Sequence, residues 1–192
     1  MNNRSLDIIE EAMEFSPKFS SLEIANGSIY LDFKNVALSN PKEDEDFTLS
    51  IRFASNAFIS FFYNDIWDLD FLSDYDFSNE SFIKDFSYDI NEFKFQDFDF
   101  LDYIFNNYSN EKSFPDNNFN PHNIRNDFFL TFTLDKLAIC ISSNEMDFFT
   151  KNEKLDSSSI KNLSNEWILY ILNYCNKKRI KKDSICDKIL KS

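Results

Sequence analysis

The 192-residue chain contains one glycine, one histidine, four prolines and three cysteines, and these scarcities exclude several classes of site. Phosphate-binding loops of the dinucleotide and P-loop types need several glycines for close backbone approach, and only Gly27 is present. A Ser-His-Asp or Cys-His system would have to use His122, which has no neighbouring catalytic signature. Zinc is also disfavoured, because one histidine and three scattered cysteines give no ligand spacing. The sequence therefore predicts neither a cofactor nor a metal.

Long apolar runs are lacking too. No run reaches the roughly 18 residues of a membrane span, and the first residues lack the pattern of a secretory signal. The three cysteines (Cys140, Cys175 and Cys186) are odd in number and lack CxxC spacing, which favours reduced thiols. We therefore predict a cytoplasmic protein, in a bacterium or in the host of a phage, without a membrane partner.

What the chain has in excess is acid. Its formal net charge is −13 and its pI is about 4.5, so direct binding to nucleic acid is disfavoured and a basic protein partner is favoured. The charge is concentrated in Asp65–Phe105, which holds twelve Asp or Glu, two Lys and thirteen aromatic residues. This segment, the acidic–aromatic stretch, carries about −10 of the −13.

Two β-hairpins are the clearest local predictions. Asn26-Gly27 is the preferred pair for a two-residue type I′ turn, and it predicts that Ile24 pairs with Ile29 and Leu22 with Leu31. A second turn at Asp135-Lys136 predicts pairing of Phe132 with Ile139 and of Leu130 with Ile141.

The remaining elements follow from apolar spacing. Helices are predicted over 5–15, with Ser5 as N-cap, and over 157–176, capped by one of Ser157–Ser159. Strands are predicted over 47–53 and 57–63. For the later part of the acidic–aromatic stretch we predict a helix through Phe82, Ile83, Phe86 and Ile90, a short strand at Phe93–Phe95 and a helix from Phe98 to Tyr108.

Together these elements predict a single α+β domain over residues 1–192. An antiparallel sheet of about five to seven strands is built from hairpins, with an N-terminal helix and one or two C-terminal helices packed on it. A long Asn-rich loop is expected at 106–126 and a basic helical tail at 176–192, which contains seven basic and two acidic residues. The tail either pairs with the acidic–aromatic stretch or extends as an arm.

A metal-dependent hydrolase or nuclease is the enzymatic alternative. Glu92 and Lys94 match the Glu-x-Lys half of a nuclease metal site, with Asp76 or Asp85 as a further carboxylate. Asp-x-Asp pairs also occur, at Asp68/Asp70, Asp74/Asp76 and Asp97/Asp99. This region is, however, the most acidic in the chain, and a nuclease must approach phosphate.

The leading hypothesis is a non-enzymatic inhibitor that blocks the active or nucleic-acid-binding site of a basic protein, such as a toxin or a nucleic-acid enzyme. Its carboxylates would imitate a row of phosphates, and its exposed rings would act as anchors. A structural or assembly protein is a third possibility, and the sequence predicts no oligomeric state. The predicted partner-binding residues are Asp65, Asp68, Asp70, Asp74, Tyr75, Asp76, Glu80, Asp85, Asp89, Glu92, Asp97, Asp99 and Asp102.

In general character the chain resembles two broad groups, the bacterial immunity proteins and the phage inhibitors of host defence nucleases such as anti-CRISPR proteins. The likeness lies in size, acidity, composition and lack of catalytic residues. It covers no defined motif, so it assigns no residue a role. What it implies is inhibition of a cognate protein by binding.

Overall fold

The alternating apolar strands fold into two antiparallel sheets in a computed structural model of the chain. It describes residues 3–39, 47–65, 81–114, 126–151 and 153–178. The elements are α1 (Asn3–Met13), β1 (Lys18–Ala25), β2 (Ser28–Lys34), β3 (Thr48–Ala54), β4 (Phe58–Tyr63), β5 (Ser81–Asp89), β6 (Glu92–Phe95), α2 (Phe98–Asn107), β7 (Asn110–Phe114), β8 (Phe128–Leu134), β9 (Leu137–Ser143), β10 (Glu145–Thr150), β11 (Glu153–Leu155) and α3 (Ser157–Lys178).

The first sheet, sheet A, has the strand order β11-β10-β3-β2-β1-β5, and the second, sheet B, has the order β6-β8-β9-β4-β7. The α+β class, the hairpins and the terminal helices are confirmed. The number of sheets differs from the prediction, because one sheet was predicted and the structure has two. Alternation along a strand reports that one face is buried, but not which other strand lies opposite.

Both hairpins have the predicted register. In β1–β2, Ile24 pairs with Ile29 and Leu22 with Leu31, across a turn in which Asn26 and Gly27 both have positive φ (52° and 71°). A type I′ turn requires this conformation, which explains the Asn-Gly pair. In β8–β9, Phe132 pairs with Ile139 and Leu130 with Ile141, and the turn places Asp135 at φ 44°.

Phenylalanine rings join the two sheets across the main core. Phe19 and Phe33 of sheet A meet Phe132 of sheet B at centroid distances of 5.0 and 5.6 Å. Phe93 of β6 lies 5.6 Å from Phe33 in an edge-to-face arrangement. Phe19, Phe33 and Phe132 have no exposed surface. These contacts between strands distant in sequence make the two sheets one packed unit.

Two helices pack on the same core. Ile9 of α1 and Ile160 of α3 are fully buried in it. The Glu10 carboxylate of α1 also accepts a hydrogen bond from the backbone N–H of Phe95, on the edge strand β6. This contact satisfies a donor that an edge strand would otherwise leave open.

Four predictions of local structure are wrong, one of them the N-cap of α3, which is Asp156 and not one of Ser157–Ser159. The predicted helix through Phe82 and Phe86 is the strand β5, because pairing with β1 from Ala25↔Ser81 to Lys18↔Asp89 overrides a spacing that suits both structures. Ser5 is not an N-cap, since α1 begins at Asn3 and buries Ser5.

The predicted Asn-rich loop is also shorter than expected. Its first part contains the end of α2 and the strand β7, which pairs with β4. The segment 115–125 and the tail helix predicted beyond residue 178 lie outside the described residues.

Candidate functional site

The outward side of α2 is the best candidate for a working surface among the described residues. At 100° per residue, Phe98, Asp102, Asn106, Asp99 and Tyr103 fall within about 140° of one another on the helix surface. All five side chains are exposed. We call these five residues the α2 outer face.

The opposite side of α2 holds the helix on sheet B. Phe100, Leu101 and Ile104 are buried against residues of the sheet face that points away from the main core. That face contributes Phe62, Phe129, Ala138 and Cys140. The second cluster explains why this segment is a helix, because the three apolar residues recur with a spacing of three to four.

Two aspartates stabilise the start of α2. Asp97 is the N-cap, and its carboxylate accepts the backbone N–H of Phe100 at 3.0 Å. Asp99 lies in the first turn, where a negative charge interacts favourably with the helix dipole. Both acids therefore have a structural role in addition to any role in binding.

The end of α2 is attached to β4 and β7 by one side chain. The amide of Asn64 donates to the Asn107 carbonyl at 3.0 Å and accepts the backbone N–H of Ser109 at 2.9 Å. The Asn107 side chain in turn donates to the Tyr103 carbonyl at 2.8 Å. The helix is thus capped at one end and hydrogen-bonded to the sheet at the other.

Two rings of the outer face are accessible although each is supported from within. Phe98 is 60% exposed and Tyr103 is 52% exposed. Tyr103 stacks on Phe100 with centroids 5.8 Å apart and planes 10° apart, and Phe98 lies 6.3 Å from the Phe129 ring. Rings held in this way lose little conformational entropy when a partner covers them.

The helix itself is acidic, because α2 contains Asp99 and Asp102 but no Lys or Arg. Asp102 is in mid-helix, and its carboxylate makes no hydrogen bond or ion pair with any residue that the structure describes. The arrangement, two rings with two carboxylates between them, is chemically suited to a Lys- or Arg-rich surface that also offers apolar contact.

A polar group lies on the same face of sheet B. The Glu111 carboxylate accepts the hydroxyl of Ser60 at 2.7 Å and also bonds Ser113. Cys140 pairs with Ser60 across β4 and β9, and burial, together with the nearby Glu111 charge, raises the pKa of the Cys140 thiol well above its usual value. Ser60 and Cys140 are fully buried, so neither side chain is placed to attack a substrate.

The predicted partner-binding residues are only partly brought together. Asp99 and Asp102 lie in α2 and Asp97 is its N-cap, while Glu92 is exposed on β6 of sheet B, the sheet on which α2 packs. Asp85 and Asp89 lie on β5 of sheet A, where Asp89 forms an ion pair with Lys18 at 2.5 Å. Asp65 is exposed just after β4. Six predicted residues lie outside the described part of the chain: Asp68, Asp70, Asp74, Tyr75, Asp76 and Glu80.

Of the residues proposed for the hydrolase alternative, the structure brings only Glu92 and Lys94 close together among those it describes. Glu92 and Lys94 are on the same face of β6, and the buried Phe93 stands between them in the sequence. Asp85 belongs to the other sheet, and Asp76 lies outside the described residues. Within the described ranges, no three His, Cys, Asp or Glu side chains come close enough to hold a metal ion.

Sequence reasoning missed a polar row on the outer side of sheet A. Asp32 accepts the hydroxyls of Ser21 and Ser50 at 2.7 and 2.5 Å. Asp147 is paired with Arg52 at 3.4 Å and with Lys154 at 2.6 Å. The alternation of these polar residues along β1, β2, β3 and β10 was visible, but their pairing depends on a strand order that the sequence does not state.

The cysteines depart from the expectation of reduced thiols. Cys140 is free, whereas Cys175 of α3 is disulfide-bonded. None of the described helices is long and apolar enough to cross a membrane.

Comparison with known proteins adds no assignment. No protein-family model matches the chain, and no curated protein or solved structure shows significant similarity to it.

Proposed function

We propose that this protein is a non-enzymatic inhibitor that binds a basic protein and covers its active or nucleic-acid-binding site through the α2 outer face. The observation that carries the proposal is the pair of exposed, internally supported rings, Phe98 and Tyr103, on either side of Asp99 and Asp102. The proposal is of the immunity-protein or anti-CRISPR kind, with the chain acting as a mimic of nucleic acid in a cytoplasm.

Electrostatic attraction supplies the approach. A chain with a net charge of −13 attracts a basic cleft over a distance set by the Debye length, about 30 Å at 0.01 M salt and about 8 Å at 0.15 M. Steering of this kind raises association rates by about 10- to 1,000-fold. The association rate should therefore fall steeply as salt is added.

Burial of the rings supplies most of the affinity. Phe98 is 60% exposed, which for a side chain of ~200 Å² leaves about 120 Å² to be covered. At ~25 cal/mol per Å² this is about 3 kcal/mol before the losses that accompany binding. We expect Phe98→Ala to weaken binding by about 2 kcal/mol, roughly 30-fold in Kd.

The experiment begins with capture of proteins from cells that carry this gene, using the immobilised wild type and the double variant Phe98→Ala/Tyr103→Ala. The control is Leu169→Ala on α3, which alters a side chain of similar exposure (59%) elsewhere. A basic protein retained by the wild type and the control but lost with the double variant is then purified. Its association rate is measured at 50 and 500 mM NaCl, and its enzymatic activity is assayed with and without the inhibitor.

The proposal requires three results together: loss of binding in the double variant, a salt-dependent association rate and inhibition of the captured protein. Association that is indifferent to salt would contradict the steering mechanism, and full binding by the double variant would move the interface away from α2. A rise in melting temperature with Mg²⁺ or Mn²⁺ together with cleavage of nucleic acid would favour the hydrolase instead.

A further inference from the structure

Four residues of the α2 outer face form a closed set of neighbours. Asp99, Asp102, Tyr103 and Asn106 are spaced i, i+3, i+4 and i+7 along the helix. Residues three or four apart on a helix have Cβ atoms about 5–6 Å apart. The four positions therefore outline a rhombus in which every side joins two neighbours, and we call these four residues the α2 quartet.

The aromatic member of the quartet is supported from below. Tyr103 stacks on the buried Phe100, with ring planes 10° apart, yet 52% of its surface is exposed. Because Phe100 supports one face of this ring, a planar group from a ligand would stack on the other face. The ring is thus a fixed platform at one corner of the quartet.

The three polar members are exposed acceptors. Among the described residues, no hydrogen bond or ion pair engages the side chain of Asp99, Asp102 or Asn106. Together they offer two carboxylates and one amide carbonyl. The helix supplies no Lys or Arg to neutralise them. The quartet therefore brings negative charge, hydrogen-bond acceptors and an aromatic platform to one place.

We propose that the α2 quartet binds one arginine side chain of the basic partner. Its guanidinium stacks on Tyr103 and donates hydrogen bonds to the carboxylates of Asp99 and Asp102, with the Asn106 carbonyl as a further acceptor. The inference rests on the proposed function, because the quartet belongs to the surface that the partner is proposed to cover. It adds the chemical identity of the residue that this surface recognises.

Arginine matches the quartet better than lysine does. A guanidinium is planar, carries five N–H donors in a rigid fork, stacks on aromatic rings and is more weakly hydrated than an ammonium. It can therefore lie flat on Tyr103 while its N–H groups point outward to the acceptors around it. A lysine ammonium is a compact, strongly hydrated charge with three donors, so it gains less from the ring and more of its hydration must be lost.

Other occupants fit less well. Calcium takes six to eight oxygen ligands and magnesium six, whereas the quartet has two carboxylates, and no three His, Cys, Asp or Glu side chains converge anywhere in the described ranges. A second copy of the chain is disfavoured by charge, since two molecules with a net charge of −13 each repel one another.

The test titrates the isotopically labelled full chain with acetyl-arginine amide and with acetyl-lysine amide, at about 10 mM salt to limit screening. The arginine probe should shift the backbone amide NMR signals of 99–106, with a Kd about five- to tenfold below that of the lysine probe. Tyr103→Leu should reduce this preference to about twofold or less. The double variant Asp99→Asn/Asp102→Asn should weaken binding of both probes by about threefold or more.

Two controls change matched side chains elsewhere. Tyr174→Leu alters a tyrosine of similar exposure, 45% against 52% for Tyr103. Asp135→Asn removes an exposed carboxylate from the β8–β9 turn. Both variants should bind the two probes as the wild type does.

Three results would overturn the inference: equal affinity for the two probes, no shift at 99–106 up to about 20 mM arginine probe, or an unchanged arginine preference in Tyr103→Leu. None of these would refute the proposed function, which stands if a basic protein is captured through α2 and inhibited. Conversely, arginine-selective shifts without any captured and inhibited protein would refute the proposed function and leave the arginine site in place.

Discussion

The contact of Phe132 with rings of both sheets predicts that it is among the most sensitive core positions. Its side chain is fully buried and lies 5.0, 5.6 and 6.3 Å from the rings of Phe19, Phe33 and Phe93. Removing it in Phe132→Ala withdraws about 200 Å² of apolar surface, which corresponds to about 5 kcal/mol at ~25 cal/mol per Å². Measured Phe→Ala substitutions in cores cost about 3–5 kcal/mol, so we expect about 4 kcal/mol.

The assay is urea unfolding followed by tryptophan fluorescence and by circular dichroism. With a slope of ~2.5 kcal/mol per M, a loss of about 4 kcal/mol lowers the unfolding midpoint by roughly 1.5 M. If Phe132→Ala does not fold, the milder Phe132→Leu replaces it, with an expected loss in the free energy of unfolding of about 1 kcal/mol. The matched control is Phe98→Ala, whose ring is mostly in solvent and should cost less than about 1 kcal/mol.

A double-mutant cycle between Phe33→Leu and Phe132→Leu isolates the contact across the sheets. We expect a coupling energy of about 0.5–1.5 kcal/mol, the value of an aromatic pair beyond its area. If Phe132→Ala and Phe98→Ala shift the midpoint equally, or if the cycle shows no coupling, the two sheets do not meet through these rings and the described packing is wrong.

Three further predictions concern single groups. Hydrogen bonds from the backbone N–H of Ser159 and from the Ser158 hydroxyl lower the pKa of Asp156 to about 2. The wild type should therefore lose stability, relative to Asp156→Asn, as pH falls from about 4 towards 2, because the unfolded carboxyl binds protons first; equal acid profiles in urea titrations would contradict this. Asn64→Ala should lower the free energy of unfolding by about 1–2 kcal/mol, because it removes two hydrogen bonds to the end of α2. The control is Asn106→Ala in the same urea titration, and an equal loss of stability in both variants would exclude an anchoring role for Asn64. Cys140 should resist alkylation in the native protein at pH 8 and react on unfolding, because burial keeps it a neutral thiol; mass spectrometry after alkylation checks this, and rapid native labelling would be inconsistent with its burial.

The sequence predicted local structure best where two signals agreed. Asn26-Gly27 and the alternation around it specify both turn and register, and the structure matches them pair by pair. The segment around Phe82 carried one signal, apolar spacing, and that spacing is ambiguous in short runs. Its strand conformation depends on pairing with β1, roughly sixty residues away, and the local sequence does not indicate such a distant partner.

The cap of α3 shows the same limitation at the scale of one residue. One of Ser157–Ser159 was predicted as N-cap, but the structure uses Asp156, whose carboxylate accepts the backbone N–H of Ser159 at 2.7 Å. Both serine and aspartate are good caps. The apolar pattern locates the first turn without identifying which of several adjacent polar residues has the extended backbone that a cap needs.

The candidate surface illustrates what a charge count omits. The sequence marked thirteen residues by charge and aromatic neighbours, and the folded chain separates them. Asp85 and Asp89 lie on β5 of sheet A, whereas Asp97, Asp99 and Asp102 belong to α2 and its N-cap, on sheet B. The exposed rings could have been found by plotting 98–107 on a helical wheel, since Phe98 and Tyr103 fall outside the sector of Leu101 and Ile104.

Among the acids of α2, Asp102 is the most informative, because folding does not account for it. Asp97 caps the helix and Asp99 lies in its first turn, so their presence would be expected in any protein. Aspartate in mid-helix is disfavoured by about 0.6 kcal/mol relative to alanine, and Asp102 has no compensating contact with the described residues. The fold would therefore gain from Asp102→Ala, whereas binding to a basic partner would lose from it. A variant that unfolds at higher urea but associates more slowly would separate the two roles, and a variant that gains in both would leave Asp102 without a part in the interface.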